Sequence, residues 1–203
     1  MVGKFIVFEG IDGSGKGTCL QRVADYLELK RVNFITTEEP NSKYGIRNII
    51  KSELLQKQIV KDALVDLFAF SLDRQLHVEN EVKLALLANK VILCDRYYHS
   101  TIAYQGYVQG IPLDYVLHTQ SIFPKPDLTL IFDLPAEIAM ARATDRGGPK
   151  DKYENLEFQI KLREAYLDLA KKLKEKIIII DATKNKEEIE QQVIKTIEPI
   201  LGL

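Results

Sequence analysis

The stretch FEGIDGSGKGTCL, Phe8–Leu20, decides how the rest of the chain is read. It continues the short, apolar, β-rich run Phe5-Ile6-Val7-Phe8, and apolar residues then recur at Leu20, Val23, Ala24 and Leu27, the spacing of one helix face. Between them, Gly10-Ile11-Asp12-Gly13-Ser14-Gly15-Lys16 satisfies G-x-x-x-x-G-K in the strand-to-helix context the motif needs. Glycines let the backbone curl so that successive N–H groups point at phosphate oxygens. The helix N-terminus adds partial positive charge and Lys16 a full one. The segment 10–17 therefore reads as a phosphate loop. Gly10, Asp12, Gly13, Ser14, Gly15, Lys16, Gly17 and Thr18 would surround the triphosphate of ATP. The bland alternative is a tight turn with an incidental lysine.

Gly17 departs from the commoner G-K-[ST] ending and cannot ligate a metal through its side chain. Mg2+ readily keeps several waters, so a water-mediated site using Asp95, with Thr18 nearby, suffices. The G-K-G-T form resembles the loop of adenylate kinases. That likeness implies phosphoryl transfer between nucleotides and argues against a GTPase switch, which needs the missing hydroxyl.

Asn33–Thr37 is a second candidate strand, and KVILCD (Lys90–Asp95), DLTLIFD (Asp127–Asp133) and KIIIID (Lys176–Asp181) are three more short buried-strand candidates. Helical patterns fall at about 43–89 with a break near Gln58, and at about 98–122, 136–147, 155–175 and 186–200. Strands alternating with helices predict an α/β fold of the P-loop NTPase type. Its five-stranded parallel sheet lies between two helical layers, in a single domain over 1–203. RATDRGGPKDKYE, Arg142–Glu154, interrupts a helical pattern with Gly147-Gly148-Pro149 and predicts a mobile lid at about 142–154. Asp95, Asp133 and Asp181 end strands, where open α/β sheets gather ligands. Asp133 and Asp181 read more simply as helix caps or turn residues.

The 203 residues carry 28 Lys and Arg against 29 Asp and Glu, without the basic excess that a nucleic-acid polymer demands. Cys19 and Cys94 make no metal signature and suit small apolar niches in a reducing compartment. No run approaches the ~20 apolar residues of a membrane span, and the first residues lack a signal-peptide core. The expectation is a cytoplasmic protein with no membrane partner.

From end to end the chain resembles the thymidylate (dTMP) kinases. FIVFEGIDGSGKGT, EEP, LFAFSLDRQLH, VILCDRYYHSTIAYQG, PKPDLTLIFDLP, DRGGPKDKYE and IIIIDAT occur in the family's order. Asp95-Arg96-Tyr97, Ser100 and Ala103-Tyr104-Gln105-Gly106 form its most specific series. The resemblance implies transfer of the ATP γ-phosphoryl group to dTMP, with Mg2+, in a homodimer. It implies that Asp12 bonds the deoxyribose 3′-hydroxyl, Phe70 stacks on thymine, and Arg74 holds the base or acceptor phosphate. Arg96 would clamp that phosphate, while Ser100, Tyr104, Gln105 and Tyr153 line the acceptor and the Tyr104 ring disfavours a ribose. Acceptor-site helices would occupy about 43–89. Arg146 would bring the lid's catalytic cation, since Gly13 stands where some relatives place an arginine. Arg142 would contact adenine or the donor phosphates.

Each assignment has a plainer counterpart. Phe70 with Leu64, Leu67 and Phe68 makes a core stripe, Arg74 a solvated helix charge, and Tyr104 a packing residue. The family's R-E-P is here Glu38-Glu39-Pro40, so a basic contact is missing that Arg47 would have to supply. Competing functions are a deoxynucleoside kinase, another nucleoside monophosphate kinase, and a non-catalytic ATP-binding regulatory module.

Overall fold

The computed structural model describes residues 2–50, 62–144 and 155–203. Arg146, Tyr153, most of the expected lid and the break expected near Gln58 lie outside the described residues. β1 (Lys4–Gly10), β2 (Phe34–Glu38), β3 (Val91–Asp95), β4 (Leu128–Asp133) and β5 (Ile177–Asp181) form one all-parallel sheet in the order β2-β3-β1-β4-β5.

The period-two geometry of a strand explains the continuous apolar run of β1. Ile6 and Phe8 pack with α1 (Lys16–Leu29) and α9 (Lys186–Leu201). Phe5 and Val7 pack instead with residues of α3 (Ala63–His77), α4 (Lys83–Leu87) and α5 (Tyr98–Thr101). All four are essentially inaccessible to solvent. Burying each contributes about 1.5–3 kcal/mol before conformational entropy is charged. The edge strands β2 and β5 are not buried on both faces: no residue of β2 is fully buried, and Ile179 of β5 is 42% exposed.

The connection leaving β1 runs past β3 to β2, whereas that leaving β3 runs past β1 to β4. The reversal opens a crevice outside the carboxyl ends of β1 and β3. There β1 runs into the phosphate loop and Asp95 ends β3.

The expected 98–122 helix is divided. α5 runs into a wide π turn over Ile102–Val108, and α6 (Leu113–Gln120) begins only after Gln109–Pro112. Gly110 there is left-handed at φ 80°, and Pro112 removes a backbone donor and disfavours helix at Ile111. In the 43–89 region, α2 (Ile46–Ile49) is short. α3 continues through a second π turn, Val78–Val82, into α4. α7 (Ala136–Thr144) and α8 (Leu156–Lys172) complete the described helices. The Asp62 side chain caps α3 through Leu64 N at 2.8 Å, and Asn155 caps α8 through Phe158 N at 2.9 Å.

Candidate active site

The loop's shape depends on its glycines. At Gly13, φ is 83° and a Cβ would sit 1.9 Å from the Ala139 carbonyl oxygen of α7. This frame therefore has no room for a side chain at position 13. Gly15, at φ 86°, leads into α1, whose first residue is Lys16. Lys16 Nζ lies 3.4 Å from Asp95 Oδ1 and 3.9 Å from Asp12 Oδ1.

Asp12, Lys16, Phe70, Arg74, Asp95, Arg96, Ser100, Tyr104 and Gln105 all line one pocket. Phe70 and Arg74 reach it from one helix face, four residues apart. The same pocket is lined by Glu38, Glu39, Arg47, Tyr97 and Thr101, so its four carboxylates face four cations. Gly17, Glu38 and Asp95 share a neighbouring hollow.

Arg96 has φ 69°, an uncommon conformation for a side-chain-bearing residue and one that clusters at functional sites. Its Nη2 donates to Asp12 Oδ1 at 2.7 Å. Nη1 donates to Ser100 Oγ at 3.1 Å and Tyr166 Oη at 3.2 Å, and the guanidinium lies 5.6 Å from the Tyr104 ring centroid. Burial opposes the Arg96 charge. Tyr104, Asp12, Tyr166 and Glu9 outweigh that effect and hold the group protonated even more firmly than usual.

Arg74 is no solvated charge. Its side chain is 2% exposed and pairs with Glu39 Oε2 through Nε and Nη2, both at 2.8 Å. Nη1 donates to Thr101 Oγ1 at 3.1 Å and Gln120 Oε1 at 2.7 Å. The core-stripe reading divides too. Leu67 is buried, Leu64 and Phe68 are exposed, and half-buried Phe70 faces the pocket. Gln105 Nε2 donates to Gln109 Oε1 at 2.9 Å. Arg47 pairs with Glu38 and donates to the Pro40 carbonyl at 2.9 Å.

Arg142 lies apart from this pocket, its Nη1 bonded to the Ala182 carbonyl at 3.0 Å in the turn after β5. Asp181 accepts from Thr183 in that turn, while Asp133 makes a two-pronged pair with Arg163 of α8 rather than a cap. Thr18 is exposed on the first turn of α1. Burial pushes the Cys19 thiol up to about 12 and the Cys94 thiol well above its usual range, which makes both unreactive.

Sequence reasoning missed Glu9, Thr101 and Tyr166. Glu9 left a signal, a lone charge at the end of an apolar strand. Tyr166 left none, because it reaches the site from a helix far along the chain.

A parallel sheet whose switch-point crevice sets a phosphate loop beside a second arginine-bearing pocket defines a P-loop nucleotide phosphotransferase. The model of the thymidylate kinase family matches residues 8–193. The chain is 38% identical to a thymidylate kinase of Caldicellulosiruptor saccharolyticus, covering 99% of this chain and 98% of that one. It is 34% identical to a probable thymidylate kinase of Pyrococcus abyssi over the full length of both. It is also 39% identical to probable thymidylate kinase 1 of Saccharolobus solfataricus, over 96% and 97% of the two chains. The chain belongs to the thymidylate kinase family.

Proposed function

We propose that this chain, read as one domain, transfers the γ-phosphoryl group of ATP to dTMP, giving ADP and dTDP. One observation carries the reading. Lys16 from the phosphate loop and Arg96 from beyond β3 converge on the same carboxylate, Asp12, at 3.9 and 2.7 Å. A donor's terminal phosphate on Lys16 and an acceptor's phosphate on Arg96 are thereby brought close together, which supplies the positioning that phosphoryl transfer needs. No general base is required, since the acceptor phosphate is already ionised. Asp12 holds Arg96 until that phosphate arrives and lies within reach of the sugar hydroxyl. Phe70 offers a stacking face, and Arg74 with Thr101 a polar edge for the base. Arg47 takes the place of the arginine missing at Glu38.

Mg2+ fits the residues present. Asp95 Oδ1 is buried and makes no hydrogen bond, its one close cation being the Lys16 ammonium at 3.4 Å among the described residues, and Gly17 leaves open the space beside Asp95 Oδ2. Asp95 would hold the ion through water, and the ion would neutralise charge on the donor phosphates. Among the described residues no group of three or more His, Cys, Asp or Glu side chains forms a dedicated metal cage.

Arg146 and Tyr153, outside the described residues, serve as the lid's catalytic cation and as the residue that orders the lid on the acceptor; Arg142, bonded to the Ala182 carbonyl, contacts the donor nucleotide. A homodimer forms through the exposed Leu64, Phe68 and Leu72 of α3 with Ile122 beyond α6. Free, buried cysteines and phosphorylated substrates suit the cytoplasm. Among the described residues no helix is long and apolar enough to cross a membrane.

A coupled ADP-release assay over dTMP, dUMP, AMP, GMP, CMP and thymidine tests the reading. The expected result is preference for dTMP, lost in Lys16→Ala. Preference for AMP or GMP overturns the acceptor, preference for thymidine makes the protein a nucleoside kinase, and no turnover makes it a binding module.

A further inference from the structure

Glu9 is a fully buried carboxylate that makes no ion pair with a cation among the described residues. Such a group is costly unless hydrogen-bond donors replace its water, and four do so here. Oε1 accepts from the backbone N–H groups of Tyr97 at 2.8 Å and Ser100 at 3.1 Å. Oε2 accepts from Ser100 Oγ at 2.8 Å and Tyr166 Oη at 2.9 Å. Those two hydroxyls are the ones that receive Arg96 Nη1.

The chemistry of the groups sets the direction of every proton in this cluster. A carboxylate only accepts, so each hydroxyl spends its single proton on Glu9. Their lone pairs are then left for the guanidinium, which only donates. Burial and the Glu9 charge both keep the Tyr166 phenol protonated, so it remains a donor. Ser100 and Tyr166 lie 2.9 Å apart, and neither has a proton left for the other. The network thus presents one acceptor-lined slot to one arm of Arg96. The other arm is held by Asp12, which an incoming anion can displace.

We propose that Glu9 is a positioning residue for the acceptor phosphate, acting through Ser100 and Tyr166 to fix the Arg96 guanidinium. The inference rests on the reading of Arg96 as the acceptor-phosphate residue.

Glu9→Gln keeps shape and bulk while reversing part of the network. Backbone N–H groups cannot turn, so the amide oxygen stays on them and the NH2 group faces the two hydroxyls. Each hydroxyl must then accept from the amide; one can turn its proton to the other across 2.9 Å, but the remaining proton faces Arg96, donor against donor. Calorimetric titration of the full chain with dTMP and with thymidine separates positioning from structure, because thymidine lacks the charged group. In Glu9→Gln, dTMP affinity is expected to fall about tenfold or more, the worth of a hydrogen bond to a charged group, with thymidine and ATP affinities unchanged. Tyr166→Phe should show the same selective loss in smaller measure. Arg96→Ala sets the ceiling.

If Arg96→Ala leaves dTMP binding intact, the underlying reading of Arg96 fails. If Arg96→Ala weakens dTMP but Glu9→Gln does not, or Glu9→Gln weakens thymidine equally, the positioning role is overturned. Should Glu9→Gln not fold, Tyr166→Phe decides by the same comparison.

Discussion

Replacing Glu39 by alanine isolates the energetics of the charge pair beneath the acceptor pocket. The Glu39 side chain is 4% exposed, takes Arg74 on Oε2, and takes His77 Nδ1 on Oε1 at 2.9 Å. Without it, the buried Arg74 keeps, among the described residues, only neutral hydrogen-bond partners, Thr101 and Gln120, and the ring faces of Tyr97 and Phe123 at 5.3 and 5.5 Å. An uncompensated buried charge of this kind costs about 3–5 kcal/mol. For a chain of this length that lowers Tm by about 6–20 °C, out of a total stability of about 5–15 kcal/mol. Urea unfolding followed by circular dichroism measures the loss. The decisive variant is Glu39→Ala combined with Arg74→Met, which removes both charges and refills most of the volume. It should be more stable than Glu39→Ala alone, by about 1–3 kcal/mol, yet bind dTMP poorly because Arg74 is gone from the pocket. A single-variant cost below about 1 kcal/mol, or losses that simply add in the double variant, would refute the argument.

Other consequences are equally open to measurement. Asp73 is buried, and that burial is the main force pushing its carboxyl from 3.8 up to about 6, with Glu39 adding to it against Asn41, Arg74 and His77. The folded state then binds the proton more tightly than the unfolded one, so this group adds stability as pH falls from about 6 to 4 and withdraws it as pH rises. The stability advantage of Asp73→Asn over the parent should shrink by about 2–3 kcal/mol across that window. A constant difference would dismiss the shift. Gly17→Ser is sterically admissible, since its Cβ meets only Asp95 Oδ2 at 3.4 Å, an ordinary contact. It should lower the Mg2+ needed for half-maximal turnover about three- to tenfold, the worth of one added polar contact. Mn2+ binding in the presence of ADP, read by electron paramagnetic resonance, should tighten in parallel, and unchanged Mn2+ binding counts against Asp95 as the metal's anchor. Leu72→Glu should halve the sedimenting mass of the full chain; a parent that already sediments as a monomer removes the proposed interface.

The three central strands β1, β3 and β4 were legible because a strand buried on both faces leaves an unbroken apolar run bounded by polar residues, while the edge strands β2 and β5 were read from short β-rich runs. Phosphate loop and Asp95-Arg96 were legible because their chemistry is local in sequence. The fate of Arg74 was not. Its spacing from Phe70 indicates a shared face, but only folding brings Glu39 and Gln120 around it and turns a surface-type residue inward. Likewise α3 is apolar on two sides, so periodicity alone could not tell buried Leu67 from exposed Phe68. The division of the 98–122 helix was written in Gly110 and Pro112, punctuation that a continuous apolar pattern around it obscured. Glu9 and Tyr166 show the general limit, since a hydrogen-bond network joins residues by geometry that spacing does not encode.

The contact between Gly13 and α7 ties two distant segments into one inherited unit. With the Ala139 carbonyl pressed against the loop, the identity of residue 13 and the stand-off distance of that helix are chosen together. A loop transplanted from a relative with a bulky residue at this place would arrive without the helix setting that admits it. Chimaeras should therefore exchange both segments or neither.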